Sequence, residues 1–220
     1  NIINIFGNTR TLEKVIRREL GFAEGDPINS DLIASATKNL QRLNIFKNVE
    51  VKENFFNDEK SNIDIFLEET STGDFTVGAS FESIDGAVLV AGLDEKNIGG
   101  TGRSVSLNIN TSDRNTLYSF NVKEPYFNNK QMNLIYGLKY QNNNFSDSSS
   151  YNLNSAISNI GIEYDLIDNL LHNISLSYEL RDYEITDRST VSSSILSSEG
   201  TNALFKINNL LEYNKLNSFL

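Results

Sequence analysis

Residues 73–82 read Gly73-Asp74-Phe75-Thr76-Val77-Gly78-Ala79-Ser80-Phe81-Glu82. Phe75, Val77, Ala79 and Phe81 fall on one side of an extended chain, and Thr76, Gly78, Ser80 and Glu82 on the other. This period of two is the signature of a strand with one apolar face. The pattern then recurs. Val105, Leu107 and Ile109 oppose Ser104, Ser106, Asn108 and Asn110. Met132, Leu134, Tyr136, Leu138 and Tyr140 form a third stripe, and Ile174, Leu176, Tyr178 and Leu180 a fourth. Roughly eight such strands are expected after Thr72, each near the 9–11 residues that a tilted membrane strand requires. Serine, asparagine, lysine and glutamate occupy the opposite faces, as they would in a wet barrel interior. A soluble β-sandwich also alternates. The aromatic stripes and the polar reverse face, repeated over so many strands, argue against it.

Loop lengths alternate as well. The polar connections Asn110–Asn115, Asn142–Tyr151 and Ile185–Asn202 grow along the chain, whereas Asn97–Gly102, Pro125–Asn129 and Ile167–Leu171 are tight. Long loops outside and short turns inside are the outer-membrane pattern. The first hairpin departs from it, because Asp85-Gly86 signals a two-residue turn on the outer side.

Composition agrees. The chain has 220 residues, 39% of them hydrophobic, with 9 tyrosines and 13 phenylalanines, and a mean hydropathy of −0.34. No apolar run approaches the roughly 20 residues of a spanning helix. The net charge of −10 argues against nucleic acid as a partner. With no cysteine, disulfide frameworks and thiolate metal sites are excluded. The chain opens on Asn1-Ile2-Ile3, already strand-like, and reads as an excerpt of a longer mature protein.

The first seventy residues have mixed periodicity. Ile3, Ile5 and Phe6 predict a short strand ending at Gly7-Asn8. Thr11 is placed to cap a helix bearing Leu12, Val15, Ile16 and Leu20 on one face, with Glu13 in its first turn. Gly21 and Gly25-Asp26-Pro27 break it. A second helix from Asn29 or Ser30 carries Leu32, Ala36, Leu40 and Leu43. Strands around Val49–Glu53 and Ile63–Glu68 follow, separated by a polar turn at Asn57–Asn62. The expected architecture is an α+β module (β-α-α-β-β) over 1–70, then an antiparallel transmembrane barrel segment over 71–220.

With these residues in place, the chain resembles the BamA family of outer-membrane assembly proteins over essentially its whole length. Gly7-Asn8-x-Arg10-Thr11, Val15-Ile16-Arg17-Arg18-Glu19-Leu20, Glu24-Gly25-Asp26 and Leu40-x-x-Leu43-x-x-Phe46-x-x-Val49-x-Val51 resemble the membrane-proximal POTRA module. Glu68-Glu69-x-x-Thr72-Gly73-x-Phe75 resembles the entry into the first barrel strand. Asn97-x-x-Gly100-Thr101-Gly102 and Glu124-Pro125-Tyr126-Phe127 resemble two periplasmic turns, and Tyr213-Asn214-Lys215-Leu216-Asn217 the end of the eighth strand. The family barrel has sixteen strands, so about half is present. The upstream modules, the arginine-bearing motif of the lumenal loop and the closing strands are absent. Glu124 stands where the family more often has aspartate.

The resemblance implies that the first strand, Gly73, Asp74, Phe75, Thr76, Val77, Gly78, Ala79, Ser80 and Phe81, pairs with an unfolded β-barrel client. Gly73 and Gly78 either loosen that edge or fit barrel curvature. It also implies an outer-membrane lipoprotein partner, with Arg17 and Glu24 at positions used for docking in relatives. Alternatively, Arg17 is one arm of a local ion pair, worth little by itself. Outer-membrane lipid is the remaining partner, and no cofactor or metal is expected. A transporter of the two-partner secretion type shares the plan and is the rival function. A passive porin or an enzyme-bearing barrel is the third. Against an enzyme, His172 is the only histidine and has no motif serine or cysteine partner. The Asp58-Glu59 and Glu68-Glu69 pairs read as solvated charges. Gly99-Gly100-x-Gly102 lacks the lysine and helix of a phosphate loop.

Overall fold

The computed structural model describes residues 2–57, 60–167 and 169–214. Contacts divide the chain into two compact units. The first holds the residues up to Asp74 together with Glu95–Ser104, and the second Phe75–Asp94 with the rest of the chain from Val105.

In the first unit, strand β1 (Ile2–Phe6) is followed by helices α1 (Glu13–Arg17) and α2 (Ser30–Arg42), then strands β2 (Phe46–Asn57) and β3 (Lys60–Glu69). This is the β-α-α-β-β order that the sequence predicts. The sheet order is β1-β3-β2. β1 runs parallel to β3, with Ile3 opposite Ile63 and Ile5 opposite Ile65. β2 runs antiparallel, with Val49 opposite Leu67 and Val51 opposite Ile65. Alternation puts Ile3, Val49, Ile63, Ile65 and Leu67 on the face covered by Val15, Ile16, Leu20, Ala36 and Leu40 of the helical layer, and all ten are buried. The opposite face leaves Phe6 and Phe66 half exposed and stacked, ring centres 5.1 Å apart. Lys52 Nζ lies 5.5 Å from the Phe66 ring.

Asn29 caps α2 as expected, its side chain accepting from the Leu32 amide at 2.8 Å. Thr11 does not cap α1. The cap is Leu12, which has no side-chain acceptor to offer, and the Thr11 hydroxyl is engaged elsewhere. β2 and β3 each run further than the hydrophobic pattern suggests, narrowing the predicted 57–62 turn. The Asp58-Glu59 pair lies outside the described residues.

From Gly73 onward the chain is an up-and-down meander. Strands β4 (Gly73–Glu82), β5 (Gly86–Glu95), β6 (Ser104–Thr111), β7 (Asn115–Glu124), β8 (Met132–Asn144), β9 (Tyr151–Ile167), β10 (Leu170–Ile185) and β11 (Gly200–Tyr213) form one eight-stranded sheet in consecutive order. No second sheet covers its apolar stripes among the described residues, which removes the β-sandwich. Phe75 is 74% exposed, Phe81 82%, Phe205 85% and Ile207 75%. So much bare hydrocarbon on one face needs a hydrocarbon solvent.

The expected strand length holds for β4, β5 and β7, but β8 to β11 span 13, 17, 16 and 14 residues. Asn142 opposite Asn154 and Asn144 opposite Asn152 show why. The ladder continues beyond the apolar stripe on polar residues, which hydrogen-bond their backbones equally well. Loops at 112–114, 145–150 and 186–199 lengthen along the chain, the last two carrying short helices α3 (Ser146–Ser149) and α4 (Ser193–Leu196).

The reverse face is polar and internally paired. Glu179, 4% exposed, accepts from Arg181 Nε at 2.6 Å and from Lys206 Nζ. Glu163 accepts from Lys123 Nζ at 2.5 Å and Asn133 Nδ2 at 3.0 Å. Shielded carboxylates persist there because each has cationic or amide donors.

Candidate functional site

β4 ends the sheet order, bonded to β5 on one side and to no other strand among the described residues. Every residue from Gly73 to Phe81 is exposed except Gly78, which is intermediate. A Cβ at Gly78 would meet nothing within 4 Å, so close packing does not require glycine there. The strand therefore presents a row of backbone donors and acceptors along its open edge. β11 closes the other end of the order.

The root of β4 is firmly held. Thr72 is buried, its carbonyl accepting from the Lys96 amide at 3.1 Å. Lys96 Nζ lies 3.7 Å from Asp74.

Glu69 corrects the reading of a solvated Glu68-Glu69 pair. Glu68 is indeed exposed, facing Lys47 at 2.9 Å. The Glu69 side chain is only 6% exposed. It accepts from the Thr9 hydroxyl at 2.7 Å, the Arg10 amide at 3.0 Å and the Thr11 amide at 2.7 Å. Arg10 also donates Nη2 to the Thr70 carbonyl at 2.5 Å. Burial opposes ionisation of Glu69, but the Thr11 and Thr9 side chains and the Thr11 and Arg10 amides outweigh it and hold the carboxyl at about 2, below its ordinary 4.5. A depressed folded-state value contributes stability above pH 4.5 that fades as pH falls toward 2. Glu69→Gln should therefore destabilise the first unit by on the order of 3 kcal/mol at pH 7. The gap from the parent, measured by denaturant unfolding, should shrink across that acid window.

The structure brings Arg17 and Glu24 together. Arg17 donates to Glu13 at 2.6 Å, to Glu24 at 3.3 Å and to the Ile3 carbonyl at 3.3 Å. Glu24 also accepts from the Ile3 amide at 3.3 Å. Glu13 raises the Arg17 pKa, burial opposes it, and Glu24 adds a further, lesser raise. The cluster ties α1 and the following loop to β1 while keeping Arg17 38% and Glu24 49% exposed at the side chain.

His172 sits on the apolar side of β10, near the start of the strand. Its Nδ1 meets the Tyr164 hydroxyl at 2.9 Å and its Nε2 the Asn209 Oδ1 at 2.8 Å. Asn209 can only accept through that oxygen, so Nε2 carries the proton and the ring bridges β9 and β11. Among the described residues there is no group of three or more histidines and carboxylates suited to a metal, and no helix long and apolar enough to cross a membrane.

A β-α-α-β-β module leading into an open, lipid-facing antiparallel sheet defines a POTRA-barrel protein. The Omp85 superfamily domain model matches residues 97–220, and the POTRA model, described as a surface antigen variable number repeat, matches residues 1–70. The chain belongs to the Omp85 superfamily and is an outer-membrane protein with a periplasmic POTRA module. Among curated relatives, the outer membrane protein assembly factor BamA of Neorickettsia risticii is 25% identical over 218 residues, covering 99% of this chain. BamA of Neisseria meningitidis serogroup B is 30% identical over 138 residues, or 62% of the chain. The chain spans 29% and 17% of these relatives. The crystal structure of BamA from Haemophilus ducreyi lacking POTRA domains 1–3 aligns over 100% of this chain and 44% of its own, with a TM-score of 0.76 at 20% identity. CdiB from Acinetobacter baumannii aligns over 99% of this chain and 43% of its own, with a TM-score of 0.64 at 15% identity.

Proposed function

We propose that this chain is the part of an assembly factor that templates β-barrel clients into the outer membrane along the open edge of β4. A barrel strand cannot enter hydrocarbon with unpaired amides and carbonyls, each of which costs several kcal/mol. An edge strand already at the membrane supplies partners during entry, and main-chain bonding makes the pairing tolerant of client sequence. The observation that carries this reading is that β4 ends the sheet order with every residue but Gly78 exposed. The naming of its curated relatives as assembly factors supports it. The process makes and breaks no covalent bond, so no enzyme activity is assigned.

The similarity to CdiB favours a second reading, a transporter that moves one polypeptide. Depletion separates the two. Loss of many different outer-membrane proteins supports assembly. Loss of a single exported protein with normal porin levels refutes it.

Arg17 and Glu24 form the proposed docking point for an outer-membrane lipoprotein. Arg17→Glu would set a new carboxylate against Glu13 and Glu24 and remove the exposed cation. Co-purification of the lipoprotein should fall about tenfold or more, since truncating one arm of a charge pair at an interface costs roughly 2 kcal/mol or more. Unchanged recovery would remove Arg17 from the interface.

A further inference from the structure

The β5–β6 turn is built into the first compact unit through a relay of side chains. Asn97 is 9% exposed. Its Oδ1 accepts from the Gly102 amide at 2.7 Å, and its Nδ2 donates to the Thr11 Oγ1 at 2.9 Å. Thr11 is tied onward to Glu69, its backbone amide donating to the carboxylate at 2.7 Å. A main-chain bond reinforces the relay, the Leu12 amide donating to the Gly100 carbonyl at 2.9 Å. Gly100 sits at φ +71°, and a Cβ there would lie 2.0 Å from the Arg10 carbonyl oxygen, so the turn touches the 10–12 segment with no room for a side chain.

These bonds join three segments far apart in sequence: the loop before α1, the end of β3, and the turn. The same unit contains the beginning of β4, the end of β5 and the beginning of β6. We infer that Thr11 and Asn97 are positioning residues for templating, forming a hydrogen-bond clasp that fixes the first residues of β4, the end of β5 and the start of β6, where the client-pairing edge begins. The inference rests on the proposed assembly role. The Asn97 amide is the centre of the clasp, its oxygen accepting from Gly102 while its nitrogen donates to Thr11, and the anionic Glu69 accepts from the Thr11 amide.

The test uses the intact protein in lipid vesicles, with two readouts. One is hydrogen exchange of the Gly102 and Leu12 amides. The other is the insertion rate of an unfolded eight-stranded outer-membrane barrel. Thr11→Val keeps the shape and removes the hydroxyl, whereas Thr11→Ser keeps the hydroxyl. Asn97→Leu is an independent break, since it keeps the bulk and removes both the donor to Thr11 and the acceptor for the Gly102 amide. Thr11→Val and Asn97→Leu should each speed exchange at Gly102 or Leu12 about tenfold, as loss of a hydrogen bond or two implies. They should slow insertion severalfold, and Thr11→Ser should restore both readouts. Undiminished Gly102 protection in both breaking variants overturns the clasp. Faster exchange with unchanged insertion overturns the positioning role. If the parent inserts no client at all, the assembly reading fails, positioning for templating falls with it, and exchange still decides whether the clasp exists.

Discussion

Proline introduced into the middle of β4 should reduce client insertion by about tenfold or more without unfolding the sheet. In an antiparallel edge strand, successive amides point alternately to the neighbouring strand and to the open side. Of the pair Thr76→Pro and Val77→Pro, one removes a donor facing β5 and the other a donor facing the client. Proline is tolerated on the open side of an edge strand, because no existing ladder bond is lost there. Val77 is 69% exposed and contributes little burial. The variant that keeps β4–β5 amide protection should therefore still be the one that fails to insert client. One unmatched carbonyl of the client in a dry environment costs several kcal/mol, enough for the expected slowing. Parallel measurement of exchange in β5 and of client insertion in vesicles checks it.

The second large effect is expected at Gly7. Its φ is +90°, and a Cβ would lie 1.9 Å from the Leu67 carbonyl oxygen on β3. Gly7→Ala thus adds left-handed backbone strain of about 1–3 kcal/mol to a collision with main chain that cannot rotate away. Moving β3 disturbs Leu67, Ile65 and Ile63, all buried in the core of the first unit. A total loss above about 3 kcal/mol is expected. For a small domain this lowers the urea midpoint by roughly 1–3 M, readable as loss of amide protection at Ile63 and Ile65.

Gly7 also shows what the sequence makes legible. A glycine and asparagine directly after an apolar run announce the end of a strand, because the chain must turn where other residues resist. Local rules likewise place the Asn29 cap, the Leu32–Leu43 helical face and the stripes of β4, β6, β8 and β10. These are contests between neighbours a few residues apart, and alternation or helical spacing decides them. Thr11 shows where that logic stops. It looks like a cap, but its hydroxyl is taken by Asn97 and its amide by Glu69, which lie 86 and 58 positions away. Nothing within a turn of Thr11 announces that. Glu69 escapes local reading for the same reason, since a carboxylate at a strand end is ordinarily solvated unless distant donors converge on it. The extra length of β8–β11 escapes it because asparagine ladders have no apolar stripe to count. In the site, the resemblance alone pointed to Arg17 and Glu24. Their mutual bond through the Ile3 backbone is a tertiary fact.

Single cysteines placed in turn at Thr76, Val77, Gly78 and Ala79 of the intact protein, each paired with a cysteine scanned along the last strand of a stalled client, measure directly whether β4 is the template. The account predicts disulfide adducts in one register, the client position stepping by one residue for each step along β4. Adducts confined to β11 or to the loops, or β4 adducts without any register, would contradict it.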